Sequence, residues 1–492
     1  MLLLLVSAAA LSVGVATQST PFAANYVSEP DLHGLIAKIE IGGYDGDDAL
    51  YLTTPVGLPT DVPTPGSTIY DRNGSHVWIG GPQFGLANLQ LQEYAGKPVL
   101  TFWIGASVDG HGAGSCYIVD DTYSVIAKID AVGGEGADLH ECNIPKDTNT
   151  TAMITVYNNI SPFDLTPVGG PENGTLIDCW IQEIEIETGA VLFNWSMFEH
   201  VSPFDSYAAA GDGEDSADLW DAYHMNSIDK GADGSYLISV RHLSTIFKID
   251  KDGSIVWRMG GKHSNFTIGD GAQFGFQHHA RFNPEDNGYI SLFDDTASEF
   301  NVSTASDAHG LYLSYDTSTW TTAAHTRYFS APFKNYSTSQ GSFQHFSDGS
   351  GVVGWGSNPW VTEHDSDGSV TFSLSLGDGS LSNGPVSSYR AFKAAAGSWV
   401  GNPITPPALA LQNNTAYFSW NGKTAVRSWD VIGDGDQLIK AVDRAGFETS
   451  LSLESANATV VAVVAKDKEG MALGRSATVF ANGTVISNGT AY

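Results

Sequence analysis

"DGSYLISVRHLSTIFKIDKDGSIVWRMGG", Asp233 to Gly261, places the tripeptide Asp-Gly-Ser at two points nineteen residues apart. Between them lie "SYLISV" and "STIFKID", short alternating runs rich in strand-forming residues, and "SIVWRM" follows as a third. Asp-Gly is hairpin-turn chemistry. The tripeptide returns at Asp348 and Asp367, again nineteen residues apart, and the second copy closes on "VTFSLSLG" where the first closes on "IVWRMGG". Upstream of each copy stands a histidine in an aromatic setting, His224 in "AYHMN" and His345 in "SFQHF". "FGFQHHARF" and "ADLHECN" supply two more, and "IAKIDAVGG" and "IEIETGAVLFNW" echo the turn element in the first half. One Asp-Gly-Ser is merely a common turn. Two matched pairs, each after a histidine, mark a repeated unit of a few strands, the pattern of a β-propeller with blades of roughly 40–50 residues.

Outward from that stretch the same texture continues. With 54 glycines, 20 prolines and frequent Asp-Gly and Asn-Gly turns, the chain reads as all-β. "LANLQLQEYAG", Leu86 to Gly96, is the best short helix candidate and equally a strand with a turn. Residues 27–401 have room for six blades with insertions. The proline-rich stretch 402–407 reads as a linker, and 408–492 reads as a small immunoglobulin- or fibronectin-like sandwich. That last part holds no histidine, which places any chemistry in the propeller.

The bulk composition narrows the function. Against 55 acidic residues there are 23 basic ones, a formal net charge of -32, and no Lys/Arg cluster, so nucleic acid is a poor partner. A small anion is not excluded, because the far field is screened within roughly 8 Å at physiological salt. Residues 1–16 read as a secretory signal peptide ending in Gly14-Val15-Ala16. No stretch is long and apolar enough for a membrane-spanning helix. Twelve Asn-x-Ser/Thr sequons, at Asn73, Asn149, Asn159, Asn173, Asn194, Asn265, Asn301, Asn335, Asn413, Asn457, Asn482 and Asn488, fit a secreted, extracellular glycoprotein. Of the three cysteines, Cys116, Cys142 and Cys179, two can pair in three ways, and none has zinc-site spacing.

In a propeller the innermost strands line a channel, so the starts of corresponding strands converge although distant in sequence. The repeat puts His140, His224, His278 and His345 at such positions. Asn226 follows His224 by two residues, which places it on the same strand face. Arg241 comes just after "SYLISV". His279 and His242, each beside one of these residues, point to the opposite face, and His111 in "DGHGAG" reads as a loop residue. The alternative for every one of them is ordinary capping of strand ends. Several histidines with Asn and Arg suit an anion that is held and attacked. A cation held by histidine with Asp294, Asp295 and Glu141 ranks last, for want of close metal-ligand spacing. Neither a metal nor a cofactor is expected.

"GADLHEC", "YHMNSID", "LISVRHLSTIFKID", "GSIVWRMGG" and "FQHHARF…ISLFDD", in this order, resemble the arylsulfate sulfotransferase family, and most closely its secreted fungal branch. The likeness runs from about Tyr70 to Gly401. It implies a six-bladed propeller that moves a sulfuryl group from an aryl sulfate to a phenolic acceptor without a nucleotide donor. It further implies His278 as nucleophile, His140 and His224 as channel histidines, Asn226 beside them and Arg241 gripping the sulfuryl oxygens. One departure is His279, where similar fungal sequences tend to carry a small acidic residue. A non-catalytic propeller that binds an anionic or glycan ligand is the alternative.

Overall fold

The computed structural model describes residues 22–57, 62, 64–108, 110–211, 218–283, 288–296, 307–329, 337–377, 386–456, 458–480 and 483–492. The expected signal segment 1–16 and the sequons at Asn301, Asn335, Asn457 and Asn482 lie outside them. Among the described residues there is no α-helix, only strands and single-turn 3-10 segments. Leu86 to Gly96 resolves accordingly into a strand, Ala87–Tyr94.

The four paired Asp-Gly-Ser tripeptides build one turn; a fifth, Asp378 to Ser380, lies outside the described residues. Gly234, Gly253, Gly349 and Gly368 hold φ of 83°, 88°, 84° and 86°, a left-handed conformation open to a residue without Cβ. In each, the aspartate carboxylate accepts the serine N–H at 2.8–3.0 Å. The turns join first to second and third to fourth strands, giving the meander Met225–Lys230, Tyr236–Val240, Thr245–Ile249 and Ile255–Gly260. The second copy gives Ser342–His345, Gly351–Gly354, Trp360–His364 and Val370–Leu376 in the same order. Each tripeptide pair thus brackets the two middle strands of a sheet.

Six strands matter for the site: β1 (Ala87–Tyr94), β2 (Ala137–Asn143), β3 (Met225–Lys230), β4 (His278–Phe282), β5 (Ser342–His345) and β6 (Val386–Ala394). Each begins a run of antiparallel partners, with β1 and β2 joined in one larger sheet through the pair Ala137 and Gly114. Each touches the next, and β6 touches β1, so the six close a circuit. The chain start completes it: Ala37–Ile41 pairs with Val370–Leu376, and Leu50–Gly57 pairs with β6. Residues before Tyr70, which carry no family motif, therefore close the ring.

Neighbouring sheets bury apolar cores between them, such as Leu237, Ile246 and Trp257 against Ala280, Leu292 and Leu311. Facing protein on both sides, middle strands such as Tyr236–Val240 are buried at every position, whereas an outer strand such as Ile255–Gly260 alternates. Side chains also staple one strand of the circuit to the next. Asn88 Nδ2 donates to the His140 carbonyl at 2.9 Å, Asn226 Nδ2 to that of Gln277 at 2.8 Å, and Ser342 Oγ to that of Ala391 at 2.9 Å.

Residues 408–492 form two further sheets around Phe418, Trp429, Val431, Val461 and Val463. They are fastened to the ring, not loosely tethered. Asn421 exchanges two hydrogen bonds with the Ile79 backbone at 2.9 and 3.0 Å, and Tyr123 donates to the Gly422 carbonyl at 2.9 Å. Even the proline-rich stretch is tied, Asn402 N–H donating to the Asp121 carbonyl at 2.6 Å. Cys116 and Cys142 form the disulfide, joining the hairpin after β1 to β2, and Cys179 is buried and free.

Candidate active site

The site is assembled where the circuit strands break their ladders. Register shifts occur at Ala87/Gln90 in β1, Ala137/Cys142 in β2, Met225/Ser227 in β3, His278/Arg281 in β4 and Ser388/Ala391 in β6. An extra residue in a strand re-aims its side chains. Asn88, His224 and His279 hold φ of 61°, 54° and 54° at or beside these points. The expected common face for His224 and Asn226 therefore does not hold: His224 precedes β3 in a left-handed conformation, and strand alternation does not reach it.

Three of the expected histidines come together, and each is anchored alike. Nδ1 of His140 lies 2.6 Å from Asp138, Nδ1 of His224 lies 2.5 Å from Asp221, and Nδ1 of His278 lies 2.6 Å from Asp295. A carboxylate on Nδ1 fixes the ring and assigns the proton of a neutral imidazole to that nitrogen, which leaves the Nε2 lone pair for chemistry. The His140 and His224 rings stand 4.9 Å apart, edge to face. Burial holds His278 well below the usual histidine range, and Arg241, His224, His140 and Arg390 push it further down. Burial acts likewise on His224, reinforced by His140, Arg241 and His111. Burial would raise Asp138, but His140 and backbone donors outweigh it and keep the carboxyl low.

Arg241 lies within this group, its guanidinium oriented from three sides. It donates to His242 Nε2 at 3.0 Å and to the Thr338 carbonyl at 3.1 Å, and it lies 5.3 Å over the Phe276 ring. His242 in turn donates from Nδ1 to the Asp221 carbonyl at 2.5 Å; burial, with Asp221 opposing, pushes it down to about 3, so it remains a neutral acceptor for the arginine. Asn226 is fully buried and spends an amide N–H on Gln277, the residue before His278. That bond positions β4.

Other expected residues fall elsewhere. His345 sits at the far end of β5, stacked 3.8 Å from Tyr312, and takes no place in the cluster. His279 bonds the Phe343 carbonyl at 3.0 Å. His111 opens the strand His111–Val119, where it stacks 5.0 Å from Tyr157. Its loop reading is thus corrected, because the hairpin pairs right to its tip. Glu141 is not available to a cation, being engaged by Arg390 at 2.9 Å and Arg281 at 2.7 Å. Asp221, His224 and His242 have ligand atoms within 4.8 Å of one another. The Arg241 guanidinium beside His242 opposes a metal ion there, and the Asp221 carboxylate is already bonded to His224.

Sequence reasoning missed Tyr157 and Tyr389, whose rings lie 5.7 and 5.4 Å from His140, and two of the anchoring carboxylates. The tyrosines left no signal. Asp138 and Asp221 did, as Asp-x-His and Asp-x-x-His.

The model of the arylsulfotransferase (ASST) family matches residues 90–377, more than half of the chain. No curated protein matches it. Solved structures similar to it include a periplasmic gluconolactonase of Pseudomonas aeruginosa, 11% identical, covering 90% of this chain and 99% of that one at a TM-score of 0.36. A virginiamycin B lyase from Staphylococcus aureus with quinupristin is 10% identical and covers 79% and 97% at 0.30. Nothing about chemistry rests on likenesses this distant.

Proposed function

This chain belongs to the arylsulfotransferase family, and we propose that it is a secreted aryl sulfotransferase working through a sulfo-histidine. The observation that carries the reading is the neutral His278, held through Nδ1 by Asp295 among Arg241, His224 and His140. His278 Nε2 attacks sulfur in line; the bond from sulfur to the aryl oxygen breaks, and its electron pair leaves with that oxygen as a phenolate. Arg241 donates to the sulfuryl oxygens. The acceptor phenol then gives its proton to Nε2 of His140, its oxygen attacks sulfur, the N–S bond breaks to restore His278, and the proton passes from His140 through solvent to the released phenolate. The two steps sum to an exchange of sulfuryl group for proton between two phenols.

We read the closed circuit as a six-bladed propeller over 27–401, 402–407 as its connection, and 408–492 as an immunoglobulin-like sandwich. Secretion of a glycosylated chain is supported by the eight described sequon asparagines, none of which is buried. The test is intact-mass analysis after incubation with 4-nitrophenyl sulfate, then a phenol chase. A sulfuryl adduct located on His278 and discharged by phenol is the expected result. Equal release of nitrophenol by wild type and His278→Ala overturns the histidine mechanism, whereas failure of any aryl sulfate to react, with ligand binding that is lost in Arg241→Ala, favours a channel that only binds an anion or glycan.

A further inference from the structure

β6 carries a residue that the mechanism above does not use. Its register shift between Ser388 and Ala391 sets Tyr389 and Arg390 opposite a single partner position on Leu50–Gly57, and both side chains reach the interior of the ring. Arg390 is committed: it bonds Glu141 at 2.9 and 3.3 Å and the Asn226 carbonyl at 2.8 Å. Tyr389 is not. Its ring stands edge-on to His140 at 5.4 Å and to His278 at 6.2 Å, with Trp103 and Leu139 packed beside it. Its hydroxyl is buried and meets no hydrogen-bond partner. Arg390 lies 5.3 Å over the ring and acts on it through its charge, but no bond of acceptable distance and angle joins the guanidinium to the hydroxyl.

A buried hydroxyl without a partner is costly to the fold, so most such groups are bonded. Burial also pushes the phenol far above its ordinary range, Arg390 opposing only in part, which leaves Tyr389 a neutral O–H donor at any working pH. A donor fixed between two imidazoles, with no acceptor of its own, is complementary to an oxygen that arrives with a ligand. Resting on the sulfotransferase reading, we infer that Tyr389 is a further catalytic residue, its hydroxyl donating to a non-bridging sulfuryl oxygen of the bound ester. Flanking both the attacking imidazole and the one that takes the acceptor's proton, it meets the group in transit from the side. It shares with Arg241 the negative charge on the equatorial oxygens, and no proton leaves it.

Tyr389→Phe deletes the hydroxyl and keeps the ring against His140 and His278. Wild type and variant are compared for turnover of 4-nitrophenyl sulfate with phenol, for calorimetric binding of 4-nitrophenyl sulfate, and for Tm. The expected result is a kcat/KM about 10²–10³-fold lower in the variant, with Tm equal to or above wild type, because the deleted group had no partner to lose. Turnover within twofold of wild type overturns the inference and leaves the sulfotransferase reading standing. A lower Tm with a rate loss that follows unfolding overturns it too, since that is the mark of a structural tyrosine. Should wild type bind the ester without turning it over, tenfold weaker binding by the variant upholds the hydroxyl contact while the transferase reading falls. If wild type neither binds nor turns over the ester, both fall.

Discussion

His140 and Glu141 are neighbours on β2, both buried and both charged or chargeable, yet they serve opposite ends. Glu141 has each carboxylate oxygen engaged inside the protein, by Arg390, Arg281 and the Ile228 N–H. Its network ties β2, β3, β4 and β6 together below the site. His140 is held on one side only, Nδ1 on Asp138, and His224 and His278 repeat that arrangement. The contrast separates two uses of buried polarity. A network satisfied within the fold holds strands in place, whereas groups anchored through one atom and open at the other are set for a ligand.

Substitutions in the two regions should accordingly differ in kind. The largest expected effect is on the open group: His278→Ala lowers kcat by roughly 10⁴–10⁶-fold, as loss of a nucleophile does, while the denaturation midpoint stays close to wild type. Next comes its anchor. Asp295→Asn releases the proton to either nitrogen and costs about 10³–10⁴-fold in kcat; a loss under tenfold in steady-state kinetics would show that the tautomer is set by something else.

In the saturated network the effect moves to stability. Glu141→Gln leaves the buried Arg390 and the part-buried Arg281 without their countercharge and destabilises by about 3–5 kcal/mol in denaturant unfolding. A change below 1 kcal/mol would mean that water enters and takes the carboxylate's place.

The smallest effect concerns pH. His278, His224 and His279 are held below the ordinary value of 6.5, each by burial first. Below that value the unfolded chain binds protons that the folded chain refuses, so stability is full above about pH 6.5 and declines as pH falls further. The same shift keeps His278 nucleophilic across that boundary. kcat/KM should therefore stay nearly level from pH 7.5 to 6.5, and an acid limb centred at 6.5 would place a normal histidine in the chemistry.

Much of this was legible in the residues. The Asp-Gly-Ser pairs announced the meanders because a left-handed glycine after a short carboxylate is a local requirement, met within a few residues. His140, His224, His278 and Arg241 were legible through motif order, and the histidines and the arginine do meet. The face shared by His224 and Asn226 was not, because alternation assumes an unbroken ladder and β3 breaks at that point. Tyr157 and Tyr389 left no trace, being 232 positions apart in sequence and brought to one histidine only by closure of the ring. The cysteine pair was one of three possibilities until β2 met the hairpin after β1.

Turn chemistry, strand period, charge balance and the identity of the reactive side chains are short-range properties, and the amino-acid order settles them. Which atoms of those side chains are occupied and which stay open depends on contacts between residues tens to hundreds of positions apart. Those contacts exist only once the first strands pair with the last and the bulged strands turn inward, so that His278 finds Asp295 and Tyr389 finds nothing.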